Sequence, residues 1–354
     1  MTLTKVRLGG LEPKYVGRRN LIINGAMQVA QRGTSATGKT ANGYYTCDRW
    51  DFLYTSMGTW SFDQSTTVPS GEGFSNSLKL TCTSADASPA AADKVAVQYH
   101  FEGQDLQQLK YGTSDASSLT LSFWVRASKT GTYVVNFLNK DNSRQNSQTY
   151  NIATADTWQY VTISIDGDTS QGFDNDTGNS LEVNFYLGAG TNNTSGTLQN
   201  SWGADTAANR AVGQVNLADT DNATWFITGV QLELGSQDTP FEHRSFGEEL
   251  LLCQRYYQTV SSFSGYGSSS TGVQGNLAFM TQMRAEPSVT LNGGTIRLTD
   301  SANNKDSSTN PSSTFGDLDG AAINMGGFSG LTQHRPYIMQ GSDGFAAFNL
   351  ESEL

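Results

Sequence analysis

Acidic side chains are the first candidates for chemistry, because carboxylates act as general acids and bases and also bind hard cations. The string DGDTSQGFDND places Asp166, Asp168, Asp174 and Asp176 close together. Such strings are typical of turns, in which Asp side chains accept hydrogen bonds from nearby backbone amides. The string lacks the Gly and Glu positions of an EF-hand loop. We therefore expect no metal and no other cofactor, and a structural calcium ion stays open as the alternative.

Motifs for nucleophilic or phosphate chemistry are absent from the sequence. It contains no Gly-x-Ser-x-Gly elbow, no phosphate-binding loop and no His-Glu-x-x-His motif. Cys47, Cys82 and Cys253 are odd in number and far apart, which argues against a disulfide framework and favours reduced, buried thiols. We expect no catalytic residues and no enzymatic activity.

Three aromatic residues, Trp124, Tyr160 and Tyr186, stand opposite the apolar positions of predicted strands. Their neighbours on the same face are Thr, Asn and Glu. Exposed rings among amides and hydroxyls suit sugar binding, because a ring stacks on the apolar face of a sugar while polar groups bind its hydroxyls. These residues are the first candidate glycan site. The alternative is that a loop, a neighbouring subunit or the second sheet covers this face.

A second candidate glycan site lies near the end of the sequence, at His334, Arg335 and Tyr337. His334 and Arg335 offer hydrogen bonds to an acidic glycan, and Tyr337 is predicted to lie in a loop. Phe345 and Phe348, farther along, are predicted to fill the core of a small β domain.

The charge balance excludes nucleic acid as a partner. The chain has 354 residues and a net charge of −11, from 22 basic and 33 acidic residues. Binding to a phosphate backbone requires clustered Lys and Arg. No apolar run reaches the roughly 18 residues of a membrane span, and the first residues lack the apolar segment of a secretion signal. We expect no membrane insertion.

The elements that must position these residues are mostly strands. Apolar residues alternate with polar ones from residue 20 to about 245, and turn-rich strings separate the alternating runs. In the run 119–126, for example, Leu121, Phe123 and Val125 share one face. This pattern is typical of an antiparallel jelly-roll β-sandwich. Trp50 is predicted to lie in its core.

The pattern changes near residue 245. Ser245 stands three residues before Glu248, which is the spacing of a capping box, and the run FGEELLLCQRYYQ is rich in helix formers. We predict a connector helix at 246–258 and a smaller C-terminal β domain at 259–354. Within that domain SSFSGYGSSSTG resembles a linker, and Asn292–Gly294 is predicted to form a hairpin turn. The predicted fold is therefore mainly β: a sandwich, a short helix and a second β domain.

Residues 1–19 form a locally basic leader in an acidic chain. Glycines and a proline interrupt any regular pattern there. We predict that this leader is an attachment segment that orders against an acidic partner surface. Its basic residues are Lys5, Arg7, Lys14, Arg18 and Arg19.

Three segments together resemble bacteriophage tail-fibre and related virion surface proteins, which carry a jelly-roll domain of carbohydrate-binding-module type. The segments are GRRNLIINGAMQVAQRGTS followed by YYTCDRWDF, then SLTLSFWVRASKTGTY, then TGVQLELGSQDTPFEHRSFGEELLLCQRYYQ. The resemblance covers about residues 17–258. Calcium-binding relatives often carry an acidic residue just after the opening Asn-Gly, where this chain has Ala26.

The resemblance implies a receptor-binding virion protein that is made in the host cytoplasm and displayed on the phage tail. Such a protein attaches to other tail proteins through its N-terminal segment, forms a homotrimer and contacts host polysaccharide or lipopolysaccharide. Region 259–354 would then be the distal, host-contacting tip, and the sandwich face would pack between subunits. Two alternatives stay open. One is a capsid decoration protein or other virion surface protein. The other is a polysaccharide depolymerase, although the sequence lacks the repeats of a β-helix.

Overall fold

The computed structural model describes residues 18–300, 304–341 and 347–354, with the backbone alone at 313–315. The chain divides into two units: unit 1 ends at Ser245 and unit 2 runs from Phe246 to Leu354. Strands dominate both units and pair in antiparallel sheets. The predicted mainly β class is confirmed.

Unit 1 is built from short strands that alternate apolar and polar residues. It also contains a 3₁₀ turn at Gly103–Leu109 and a short helix, α1, at Thr191–Thr194. The described strands of unit 1 are β1 (Ser35–Lys39), β2 (Gly43–Tyr44), β3 (Asp51–Thr55), β4 (Thr59–Ser65), β5 (Ser77–Ser84), β6 (Lys94–Glu102), β7 (Leu119–Ala127), β8 (Gly131–Asn139), β9 (Arg144–Ile152), β10 (Gln159–Ile165), β11 (Asn179–Ala189), β12 (Gly203–Ala204) and β13 (Thr224–Leu234).

These strands form two sheets that pack face to face. The first sheet has the order β1-β4-β5-β13-β7-β10, and the second has the order β12-β9-β8-β11-β6-β3-β2. Strands that are neighbours in sequence are therefore often separated in space, as in a jelly roll. The predicted jelly-roll sandwich is confirmed.

The core of unit 1 lies between the inner faces of the two sheets. On β7 the alternating residues Leu121, Phe123 and Val125 have no exposed surface, as the sequence pattern predicts. Phe123 contacts Phe185 of the opposite sheet edge to face, with ring centroids 5.3 Å apart. Trp50 is 3% exposed, which confirms its predicted core position. Its indole nitrogen donates a hydrogen bond to a backbone carbonyl, so the buried donor is satisfied.

Unit 2 begins with helix α2 (Phe246–Gln254). Its described strands are β14 (Tyr257–Val260), β15 (Ser262–Gly267), β16 (Val273–Ala278), β17 (Ser288–Leu291), β18 (Ile296–Thr299), β19 (Asn304–Ser307), β20 (Ser312–Gly316), β21 (Gly320–Met325), β22 (Pro336–Gly341) and β23 (Phe348–Glu351). One sheet has the order β14-β23-β17, and the other has the order β19-β18-β22-β15-β16-β21-β20.

Three predictions for unit 2 are wrong in detail. The helix predicted for 246–258 ends at Gln254, because Tyr257–Val260 pair with β23. The string that resembles a linker supplies β15 and the turn that leads into β16. The strands on either side of Asn292–Gly294 do not pair with each other, since β17 joins β23 and β18 joins β19 and β22.

Apolar residues of the two sheets form the core of unit 2. Leu298, Met339 and Phe348 are fully buried, and the prediction for Phe348 is confirmed. Phe345 lies outside the described residues.

Two further sequence predictions can be compared with the folded chain. The three cysteines are unpaired and buried, as expected. Among the described residues, no helix has the length and apolarity that a membrane crossing requires.

Candidate functional site

An open cleft on the outer face of the first sheet of unit 1 contains two of the predicted glycan residues. Trp124 on β7 and Tyr160 on β10 are directly paired across the two strands. Their rings are 5.3 Å apart between centroids and are tilted by 49°. Both face outward because the alternate residues of β7 and β10 point into the core. Tyr160 is 42% exposed.

A second aromatic group also lines this cleft. Phe74 comes from the loop before β5, and Phe241 and His243 come from the segment after β13. The Phe74 ring lies 5.1 Å from that of Phe241 and 5.4 Å from that of His243. The remaining pair, Phe241 and His243, is 4.9 Å apart. Because each ring contacts the other two, the wall is held together by packing.

A bulge in β13 shapes the space beneath these walls. The pairing of β13 with β7 shifts register between Thr228 and Gln231. Gly229, within the bulge, has φ +61°, a left-handed conformation that favours glycine. A Cβ atom at this position would lie 2.5 Å from the ring of Phe74. Glycine therefore allows the Phe74 wall to approach the strand closely.

Polar groups are few and lie at the edge of the cleft. The Tyr160 hydroxyl donates a hydrogen bond to Oδ2 of Asp238 at 3.1 Å. Burial raises the pKa of Tyr160 above its usual value, and the Asp238 carboxylate raises it further. The phenol therefore stays protonated and remains a donor at neutral pH. Glu72 and His243 add a carboxylate and an imidazole.

We call this space the aromatic cleft. It encloses about 530 Å³, which is large enough for a small-molecule ligand. Two walls of rings with a few polar groups at the rim can hold a flat ligand that has apolar faces and hydroxyl edges. The residues that line it are Glu72, Phe74, Trp124, Tyr160, Gly229, Pro240, Phe241 and His243.

Tyr186, the third predicted member of this surface, lies elsewhere. It is on β11 of the second sheet and is 1% exposed. It packs with Ala96 and Ala211 beneath the segment 190–216, which we call the covering segment. The prediction of one aromatic face on three strands is therefore wrong for Tyr186. Alternation predicts the outward direction of Tyr186 correctly. However, β11 belongs to the other sheet, and the outer face of that sheet is covered.

The same covered face carries a chain of hydrogen-bonded polar side chains, which we call the amide ladder. Gln98 donates to Asn184, and Asn184 donates to Oδ1 of Asn136 at 3.3 Å. Asn136 then donates to Oγ of Ser147 at 3.0 Å. The Ser147 hydroxyl donates to the carbonyl of Arg210 in the covering segment at 2.8 Å. All four ladder side chains are at most 7% exposed.

The C-terminal candidates are placed differently from the prediction. Tyr337 is on β22 and is 3% exposed, so it is a core residue of unit 2 and the predicted loop position is wrong. Its hydroxyl accepts a hydrogen bond from the backbone amide of Thr332 at 3.0 Å. Arg335 forms an ion pair with Asp300 at 3.2 Å. His334 is exposed in the turn before β22, with φ 63°. Only His334 and Arg335 remain accessible.

The predicted attachment segment is described only at its end. Lys5, Arg7 and Lys14 lie outside the described residues, whereas Arg18 and Arg19 lie within them. The backbone amide of Arg19 donates to Oε2 of Glu242 at 3.0 Å, and its guanidinium donates to the carbonyl of Pro240. Arg19 therefore belongs to the folded body of unit 1 and is not part of a free leader.

Several residues of the opening and closing segments serve to close the sandwich. Asn20 donates its amide to the carbonyl of Val230 at 3.1 Å and accepts from the amide of Leu232 at 3.1 Å. Arg244 donates to the carbonyls of Asn20 and Ile22. We call Asn20, Glu242 and Arg244 the clasp. These three residues hold the opening and closing segments of the sandwich together.

The acidic string does not converge on one point. Asp168 binds Arg144 through both carboxylate oxygens, and Oδ1 of Asp176 accepts from the amide of Gly178. The role of Asp176 is the turn role that the sequence favoured, whereas the ion pair of Asp168 with Arg144 was not predicted. Across the ranges 18–300, 304–341 and 347–354, no group of three or more His, Cys, Asp or Glu residues could hold a metal ion.

The sequence pattern does not predict a site role for Phe74, Phe241 or His243. None of them lies in a strand, so alternation could not identify them. The one available signal was the string TPFEHR directly after β13, where two rings stand close together outside any predicted strand.

No known protein family matches the sequence, and no curated protein matches it. Among solved structures, the chain is similar in part to the enzymatically active domain of bacteriophage CBA120 tailspike protein 4, at 14% identity and a TM-score of 0.32. That match covers 61% of this chain and 21% of the tailspike chain, so this chain spans about a fifth of the tailspike structure.

Carbohydrate-binding modules are also similar in part. A family 61 module solved with β-1,4-galactotriose matches at 8% identity and a TM-score of 0.31, over 62% of this chain and 100% of the module. A family 11 module of Clostridium thermocellum, solved with a mixed-linked tetrasaccharide, matches at 12% identity and a TM-score of 0.27, over 58% of this chain and 98% of the module. TM-scores of this size describe only partial superposition. The assignment of the β-sandwich therefore rests on the strand pairing within this chain.

Proposed function

We propose that this protein binds a glycan in the aromatic cleft of unit 1 and does not cleave it. The observation that carries the proposal is that two aromatic groups, Trp124 with Tyr160 and Phe74 with Phe241 and His243, line the same open cleft. Sugar rings have apolar faces that stack on aromatic rings, and their hydroxyls need donors and acceptors at the rim. Tyr160, Glu72 and His243 supply those groups.

The wider role that we propose is a virion surface protein, most specifically a tail fibre, that contacts host polysaccharide or lipopolysaccharide. The resemblance of its three segments to tail-fibre proteins supports this role. Assembly as a homotrimer, attachment to other tail proteins and location on the virion are parts of the same proposal. With Tyr337 buried and Arg335 paired, we now place the glycan site in unit 1, whereas the sequence favoured the C-terminal region.

Binding to a panel of bacterial surface polysaccharides and neutral oligosaccharides tests the site. Trp124→Ala and Tyr160→Ala should each weaken binding by about tenfold or more, equivalent to about 1.4 kcal/mol. Trp124→Phe should retain most of the affinity, since a ring remains. Tyr266→Ala is the matched control, because Tyr266 is a similarly exposed tyrosine (44%) in unit 2. Equal binding by all four variants would overturn the proposal.

Two further measurements test the remaining parts of the proposal. Release of reducing sugar from any polysaccharide that binds would contradict the non-catalytic role and favour a depolymerase. A reconstruction of the intact particle that places the chain on the capsid would favour the decoration-protein alternative over a tail fibre.

A further inference from the structure

Unit 1 has a second cleft, at the side of the sandwich where the edges of the two sheets approach each other. Strand β10 ends the first sheet, and β9 lies beside the two-residue strand β12 at the edge of the second. Segments 166–170 and 200–202 line this space, which encloses about 400 Å³. We call it the edge cleft. Unlike the aromatic cleft, it is lined mainly by amides, hydroxyls and charged groups.

A buried ion pair fixes one side of the edge cleft. Arg144 donates to both carboxylate oxygens of Asp168, at 2.5 and 3.1 Å. The Asp168 side chain is 1% exposed and that of Arg144 is 19% exposed. Asp168 also accepts from the amide of Ser170 at 2.9 Å. Bidentate pairs are geometrically specific, so the guanidinium is held in one orientation at the cleft.

Two amide side chains from β9 stand on the same side of the strand. Nε2 of Gln148 donates to Oδ1 of Asn146 at 2.7 Å and to the carbonyl of Asn200 at 3.0 Å. Within the described part of the chain, Nδ2 of Asn146 and Oε1 of Gln148 have no protein partner. An unused donor on the nearly buried Asn146 (2% exposed) and an unused acceptor on the partly exposed Gln148 therefore lie on the same side of β9. That is the arrangement that binds the hydroxyls of a ligand.

Trp202 adds a fixed aromatic ring to this polar setting. Its indole nitrogen donates to the carbonyl of Asp166 at 2.8 Å, and its ring packs edge to face on Tyr111 at 5.7 Å. The ring is partly exposed at the cleft. An aromatic ring that is fixed beside amides and hydroxyls can stack on a sugar while the polar groups form hydrogen bonds with it.

The charges of the edge cleft restrict the class of ligand. Arg144 and Asp168 neutralise each other, which leaves the carboxylate of Asp166 as the remaining charge among the lining residues. An anionic ligand would meet this carboxylate and would have to compete with Asp168 for the guanidinium. Neutral, hydroxyl-rich ligands meet neither obstacle.

We propose that the edge cleft is a second saccharide site, selective for a neutral sugar. The assignment stands on its own residues and does not require the aromatic cleft. The two clefts nevertheless share strand β10, on which Tyr160 and Ser164 point to the same side, four residues and roughly 13 Å apart. A polysaccharide that reaches both clefts gains affinity through effective concentration.

Tryptophan indole NMR reports the two clefts separately, because Trp124 lines one and Trp202 lines the other. Each signal is assigned with its Trp→Phe variant. The probes are neutral hexasaccharides of glucose, galactose, xylose and N-acetylglucosamine, with an oligogalacturonate as the charged comparison. We expect the Trp202 signal to shift with at least one neutral sugar and not with the oligogalacturonate.

A double variant, Asn146→Ala with Gln148→Ala, should raise the half-saturation concentration of the Trp202 shift by about tenfold, equivalent to about 1.4 kcal/mol. Asn151→Ala, an exposed asparagine on the same strand, is the matched control and should leave it unchanged. The unfolding midpoint of each variant checks that the fold is intact.

The shifts of the two indole signals test the two sites independently. If Trp124 alone shifts, the edge cleft is overturned and the aromatic cleft stands. If Trp202 alone shifts, the edge cleft stands and the proposed function of the aromatic cleft fails. If neither shifts with any probe, both are overturned. If the oligogalacturonate shifts Trp202 as strongly as a neutral sugar does, the proposed selectivity is wrong.

Discussion

The outer faces of the two sheets of unit 1 have the same alternating sequence pattern, but one face is open to solvent and the other is covered. On the first sheet, Trp124 and Tyr160 remain open to the aromatic cleft. On the second sheet, Tyr186 and Asn184 occupy equivalent outward positions and lie beneath the covering segment. Alternation therefore determines which way a side chain points, and a distant segment determines whether it meets solvent. The predictions below test this difference, from the largest expected effect to the smallest.

Removing the ring of Tyr186 should cause the largest loss of stability. The side chain is 1% exposed, so Tyr186→Ala leaves a cavity and should lower the free energy of unfolding by about 3–5 kcal/mol. Tyr160→Ala, on the open face, should cost less than about 1 kcal/mol. Denaturant unfolding measures both. Equal losses would mean that the two faces do not differ in burial.

Breaking the amide ladder should have the next largest effect. Asn136→Ala removes the central member, so the buried Nδ2 of Asn184 loses its acceptor and the hydroxyl of Ser147 loses a donor. The free energy of unfolding should fall by about 1–3 kcal/mol. Asn151→Ala, at an exposed position near the end of β9, should change it by no more than about 0.5 kcal/mol. A neutral Asn136→Ala variant would show that the ladder does not stabilise the covered face.

On the open face, Gly229→Ala should have a smaller effect on stability but should disturb binding. Forcing a side chain into the left-handed conformation and against Phe74 should cost about 1–2 kcal/mol. Gly38→Ala is the matched control, since Gly38 has φ +66° and nothing within 4 Å of an added Cβ. Only Gly229→Ala should weaken glycan binding. If both variants bind equally, the close approach of Phe74 is irrelevant to the cleft.

The smallest expected effect is on the pH dependence of stability, and it arises from the phenol proton of Tyr186. Burial raises its pKa from 10.0 to about 12. Because the folded state holds the proton more tightly than the unfolded state, this contribution to stability is complete below about pH 10 and is lost as the pH rises through about 12. Tyr186→Phe removes the ionising group, so its stability should fall less steeply over this range. Identical pH profiles of the unfolding midpoint would contradict the assignment.

Much of unit 1 could be predicted from local pattern. The outward position of Trp124 and the buried position of Trp50 follow from alternation and from size, both of which are encoded within a few residues. The pairing of β11 with β6 and β8, which removes Tyr186 from the predicted surface, is set by contacts between distant segments. No local pattern contains that information.

The same limit explains the errors in unit 2. Residues 257–258 continue a run of helix-compatible residues, yet β23 supplies a strand partner from the far end of the chain. Tyr337 stands beside a proline in a polar string and was therefore predicted to be exposed, but β15 and β18 flank β22 and bury its alternate residues. In both cases long-range strand pairing overrides local propensity.

The clasp brings the beginning and the end of the sandwich together. Arg19 and Asn20 share the carboxylate of Glu242, and Arg244 binds back to the carbonyls of Asn20 and Ile22. A domain whose entry and exit are adjacent can be inserted into a loop of another protein or circularly permuted with little disturbance. We therefore expect residues 19–244 to be transferable between proteins as one piece, with the residues of both clefts carried along.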